Sequence, residues 1–121
     1  MKIANLTEQE QHEALIKMMK FCEYKTQDPN SIYTWWYRDG GPKDDECIIY
    51  IGQIVSLLIN EVALEHFLLQ VCDKIGLRAT GNIKFERYEW YVSFTDKSVL
   101  NHSRILYEAL FLSINDYINK K

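Results

Sequence analysis

A two-residue alternation over residues 88–95, Tyr-Glu-Trp-Tyr-Val-Ser-Phe-Thr, predicts a strand. Tyr88, Trp90, Val92 and Phe94 share one face, and Glu89, Tyr91, Ser93 and Thr95 share the other. The first face is apolar enough to meet a core, and the second is wetter. Much of the remaining chain follows a helical period, and amphipathic helices need an apolar partner of this kind.

Near the start, Thr7 and Glu10 have the spacing of a capping box. Ala14, Leu15, Met18, Met19 and Cys22 then recur at helical spacing, with Gln9, Glu13, Lys17 and Lys20 on the opposite side. This predicts an amphipathic helix that ends near Tyr24, with its acids leading and its lysines trailing as the helix dipole favours. Asp28-Pro29-Asn30 marks a turn within the polar connection 25–31. Residues 32–38, Ile-Tyr-Thr-Trp-Trp-Tyr-Arg, are β-branched and aromatic and predict a strand with aromatics on both faces. Asp39-Gly40-Gly41-Pro42 predicts a chain reversal.

Proline followed by the acids of 43–46 resembles a helix opening, and Ile48, Ile51, Val55, Leu58 and Val62 keep a three-then-four spacing. A helix over about 45–58 is the first reading. A strand over 47–55 is its rival, because Ile-Ile-Tyr-Ile is rich in strand formers. Residues 61–75 predict a helix stopped by Gly76, with a bend near Asn60. The weaker alternation of Leu77, Ala79, Ile83 and Phe85 predicts a hairpin with 88–95. Its reversal falls either at Glu86-Arg87 or at Thr80-Gly81-Asn82. After Asp96-Lys97-Ser98, residues 99–119 predict a final helix so apolar that it must be covered on most sides. Together these elements predict an α+β fold over residues 1–121 as a single domain, with helices packed on a small antiparallel sheet.

Composition narrows the functional classes. The chain has 121 residues, long enough to bury a core without metal or disulfide staples. Its formal charge of -3 argues against direct nucleic-acid binding, which calls for a surplus of Lys and Arg. The apolar region 47–72 is interrupted by Gln53, Ser56, Asn60, Glu61, Glu65, His66 and Gln70, which argues against a membrane span. Cys22, Cys47 and Cys72 lie in apolar contexts with no C-x-x-C spacing. Buried free thiols, and a start that runs from Met-Lys-Ile-Ala into a polar helix, set the expected compartment as the cytoplasm.

Candidate chemistry is sparse. His12, His66 and His102 are far apart, and none belongs to an H-E-x-x-H pair, so no metal or other cofactor is expected. No nucleophile elbow or cysteine-protease signature is present. Glu86 and Glu89 bracket the hairpin, where carboxylates are ordinarily solvated. No catalytic activity is expected from such a set. What stands out is Tyr33-Thr34-Trp35-Trp36-Tyr37-Arg38-Asp39, because Trp, Tyr and Arg are the usual anchors of protein interfaces. A strand sends Trp35 and Trp36 to opposite sides. If Trp36 enters the core, Tyr33, Trp35 and Tyr37 face out beside Arg38; the reverse arrangement is equally allowed. The candidate partner-binding residues are therefore Tyr33, Trp35, Tyr37, Arg38 and Asp39.

Three stretches carry a resemblance: Trp36-Tyr37-Arg38-Asp39-Gly40-Gly41, Trp90-Tyr91-Val92-Ser93-Phe94 and Ala109-Leu110-Phe111-Leu112. With the order helix, aromatic strand, glycine turn, helix, hairpin, apolar helix, the chain resembles small phage-encoded ABA-sandwich domains. In general character it also resembles anti-defence inhibitors and toxin-immunity proteins. The resemblance implies phage or prophage origin and nothing about catalysis; the sparse chemistry and the aromatic stretch 33–39 set the expectation of a non-catalytic protein of a bacterium or its phage that binds a partner protein. The alternative expectations are a structural or self-associating module, joined as a homodimer through the last helix, and a small enzyme whose site carries no recognisable motif.

Overall fold

The computed structural model describes residue 3 and residues 5–39, 48–75, 83–94 and 100–119. The predicted reversal at Gly40-Gly41-Pro42, the helix opening at 43–46, Cys47, the Gly76 stop, residues 77–82 and residues 95–99 lie outside them. In chain order the elements are α1 (Glu8–Phe21), β1 (Trp35–Asp39), β2 (Ile48–Gln53), α2 (Ile54–Ile59), α3 (Glu61–Lys74), β3 (Ile83–Glu86), β4 (Glu89–Ser93), β5 (Leu100–Ser103) and α4 (Leu106–Asn119). The fold is α+β, with two antiparallel sheets among the described residues. One is the β1–β2 hairpin, and the other is three-stranded in the order β3-β4-β5.

Helix α1 begins where the capping box predicts. The Glu10 amide donates to Thr7 Oγ1 at 3.1 Å, and the Thr7 amide donates to Glu10 Oε1 at 3.0 Å. The Thr7 amide, with a smaller contribution from the Thr7 hydroxyl, stabilises the ionised carboxylate and holds the Glu10 pKa below its ordinary value. Ala14, Leu15, Met18 and Met19 form the buried stripe. The helix ends at Phe21, a turn earlier than Tyr24, and Glu23 follows at φ 62°.

Residues 48–59 correct the helical reading of 45–58. Ile48–Gln53 is strand, and only Ile54–Ile59 is helix. β-branched Ile48, Ile49 and Ile51 favour the extended form, and β1 supplies a ladder partner that a helix would forgo. The bend near Asn60 is present. Asn60 is extended at φ -134° and ψ 107°, and its side chain accepts from the Ala63 amide at 3.1 Å. It therefore ends α2 and caps α3 in one residue.

The β3–β4 hairpin turns at Arg87 and Tyr88, one residue later than the nearer predicted reversal. Both have positive φ, 53° and 66°, as a two-residue primed turn requires. Tyr88 therefore leaves the strand and is 86% exposed, while Val92 and Phe94 are buried and Trp90 is half-buried. Residues 100–103 correct the predicted last helix. They form β5, which pairs with β4, and the helix begins only at Leu106.

Helix α4 packs against α3, β5, β4 and α1, which accounts for its apolar breadth. Ser113 Oγ, fully buried, donates to the Val92 carbonyl at 2.9 Å. Phe94 stacks on Tyr117 with centroids 4.2 Å apart. The core lies between these helices and the inner faces of the strands, with Trp36, Phe67 and Phe111 among its largest members.

Candidate functional site

The β1–β2 hairpin decides which tryptophan is buried. Trp36 is 1% exposed and Trp35 is 54% exposed. The ladder pairs Trp35 with Gln53, Trp36 with Gly52 and Tyr37 with Tyr50, leaving Ile51 as the unpaired residue of a bulge. Without that bulge, Ile51 rather than Tyr50 would stand opposite Tyr37. The bulge brings Tyr50 onto the outer face with Trp35 and Tyr37. The Trp35 and Tyr50 rings meet edge-on with centroids 5.9 Å apart, and Tyr37 meets Tyr50 at 6.4 Å.

The segment before β1 adds Tyr33 to this face. The Val55 amide, in the first turn of α2, donates to the Ile32 carbonyl at 3.1 Å. Gln53 Nε2 donates to the Tyr33 carbonyl at 2.7 Å. Upstream, Asn30 donates its amide to Asp28 Oδ1, and Thr34 Oγ1 lies 2.8 Å from the Asp28 carbonyl. Thr26 Oγ1 donates to the Trp35 carbonyl, and Lys25 exchanges both backbone hydrogen bonds with Tyr37. The backbone beneath the aromatics is thus tied on both sides, so their presentation costs little further ordering on binding.

Tyr33, Trp35 and Tyr50 are 66%, 54% and 62% exposed, and Tyr37 is half-buried. A cleft of about 470 Å³ opens between Gln27, Tyr33, Thr34, Trp35, Tyr37 and Tyr50, none of which carries a formal charge at neutral pH. Tyr33 also lines a second cleft of about 470 Å³. Ile32, Val55 and Ile59 give that cleft its apolar part, and Glu8 and His12 give it a polar part.

Of the residues singled out from sequence, the structure brings Tyr33, Trp35 and Tyr37 together. Arg38 is exposed but alternates to the Trp36 side of the strand, where its charge acts on Tyr24. Burial raises the Tyr24 pKa above its ordinary value, and Arg38 opposes that rise. Asp39 lies in β1 by its backbone, and its side chain is outside the described residues. Tyr50 was not among the sequence candidates. A helical reading of its segment hides it, whereas the strand reading of Ile-Ile-Tyr-Ile gives it a ladder partner.

The titratable groups elsewhere show less convergence. On the outer face of the three-stranded sheet, His102 Nδ1 lies 3.2 Å from Glu89 Oε2, and the Tyr91 hydroxyl donates to the same oxygen at 3.4 Å. Tyr91 stacks on His102 with centroids 5.5 Å apart. Glu86 stands directly across from Glu89 in the ladder. Cys22 and Cys72 are buried, and burial pushes the Cys22 thiol up to about 11. Among the described residues, no group of three or more His, Cys, Asp and Glu side chains is placed to hold a metal ion. No described helix is long and apolar enough to cross a membrane. The chain matches no family model, no curated protein and no solved structure.

Proposed function

We propose that the protein is a non-catalytic binding module that works by covering a surface of a partner protein. An anti-defence inhibitor, such as an anti-CRISPR of phage origin, or a bacterial toxin-immunity protein acts in this manner. The single observation that supports the reading is the outer face of β1–β2. Three large aromatics stand there more than half exposed on a backbone already tied down by hydrogen bonds. Folding gains little from leaving them in water, whereas rigid aromatics at an interface bury much area at low entropic cost.

The homodimer reading has less support. The apolar breadth of α4 that suggested it goes to α1, α3, β4 and β5 within the chain.

The test uses the full chain and a Trp35→Ala/Tyr50→Ala variant as baits in affinity capture from a bacterial lysate. A protein held by the parent and released by the folded variant is the expected result, with affinity reduced about 30-fold or more. Glu86→Ala, on the other sheet, should leave capture unchanged. Equal retention by parent and double variant overturns the reading.

A further inference from the structure

The two clefts that meet at Tyr33 differ in chemistry, and the difference points to the form of the partner segment. The first is walled by aromatic rings and edged by neutral hydrogen-bonding groups, the Gln27 amide and the tyrosine hydroxyls among them. The Tyr50 ring stands edge to face with those of Trp35 and Tyr37, so the three form one aromatic wall. The second cleft has aliphatic lining from Ile32, Val55 and Ile59, and at its margin stands the Glu8 carboxylate, with a side chain 87% exposed.

Resting on the protein-binding reading above, we propose that the occupant is an extended proline-rich segment bearing one basic residue. Its prolines lie across Tyr33, Trp35, Tyr37 and Tyr50, and its Lys or Arg reaches Glu8. A polyproline II segment has a solvated backbone and little entropy left to lose, so it suits an aromatic-lined groove with neutral donors at the rim. The three exposed aromatics suit a short segment as the part of the partner protein that they grip. Charge agrees: the aromatic cleft has no formal charge that an uncharged proline run would bury unpaired, Glu8 attracts a cation, and the whole chain carries -3.

The test titrates the full chain with two labelled synthetic peptides, an octaproline and the same octaproline ending in arginine. Fluorescence anisotropy follows binding, and the indole N–H signal of Trp35 reports its location by NMR. Saturable binding of both peptides is expected, with the Trp35 signal shifting and those of Trp36 and Trp90 staying in place. Tyr33→Ala and Trp35→Ala should each weaken binding at least tenfold. Tyr33 precedes the strand, so its variant tests the face even if Trp35→Ala loosens β1. Glu8→Gln should weaken only the arginine-bearing peptide, about fivefold, as one exposed ion pair allows.

No saturable peptide binding overturns the inference. If partner capture stays sensitive to Trp35→Ala/Tyr50→Ala in that case, the protein-binding reading still stands; if capture is insensitive, both fall. A captured partner whose contacting segment lacks proline overturns the inference alone. Binding of an uncharged oligosaccharide such as cellohexaose, without the peptides, overturns both.

Discussion

Trp36 and Gly52 face each other across the β1–β2 ladder, the largest fully buried side chain opposite a residue that has none. Gly52 holds φ 136°, in a region that side-chain-bearing residues rarely adopt. A Cβ added there would meet no heavy atom within 4 Å, so space is not the constraint. Gly52→Ala should therefore lose about 2 kcal/mol through backbone strain alone. Urea denaturation of the two proteins measures this, and a loss under about 0.5 kcal/mol would show that the bulge relaxes without penalty.

The opposite outcome is expected at the β3–β4 turn. Arg87 and Tyr88 both pay for left-handed backbone with no glycine or asparagine to ease it. Replacing the pair by Asn-Gly should raise stability by about 1–2 kcal/mol. Thermal unfolding reports the gain, and an unchanged or lowered midpoint would mean that the Tyr88 ring contributes packing despite its exposure.

Ser113 is the buried tie between α4 and the central strand of the three-stranded sheet. Ser113→Ala removes the donor and leaves the Val92 carbonyl without this partner, which should cost about 1–2 kcal/mol. The loss should appear in equilibrium unfolding and in faster amide exchange along β4 and β5. Equal exchange in parent and variant would argue that the bond is replaced by water.

Burial raises the Cys22 pKa from 9.0 to about 11, so the folded state holds that proton more tightly than the unfolded chain does. The stabilisation is fully present below about pH 9 and is lost as pH rises toward 11. Burial shifts Tyr24 and Tyr107 in the same direction. Stability should therefore fall on the alkaline side, and Cys22→Ser should flatten part of that decline. In the native protein Cys22 should resist iodoacetamide at pH 8 and react once urea unfolds the chain. Rapid native labelling would contradict this placement.

The sequence is most legible where one local signal agrees with tertiary need. Thr7 and Glu10 place the start of α1 correctly, and Asn60 marks the break before α3. Val92, with Phe94 just past the end of the strand, reveals the buried side of β4. Local signals fail where a short apolar run obeys both periods. Ile48, Ile51, Val55 and Leu58 fit a helix by spacing, but ladder bonding to β1 keeps the first part extended. Residues 100–103 are too few to show alternation and are drawn into a strand by β4. The candidate face was legible through Tyr33, Trp35 and Tyr37. Tyr50 was hidden because its place depends on a one-residue bulge at Ile51, which leaves little trace in composition.

The hub role of α4 has a consequence for biosynthesis. This helix comes after the other described elements, yet it covers parts of α1, α3, β4 and β5. Until Leu106 and the residues after it leave the ribosome, those apolar faces have no lid, and the nascent polypeptide stays sticky. A version cut after Ile105 should accordingly go to inclusion bodies or bind a hydrophobic dye, while α4 supplied as a separate peptide should restore part of the solubility.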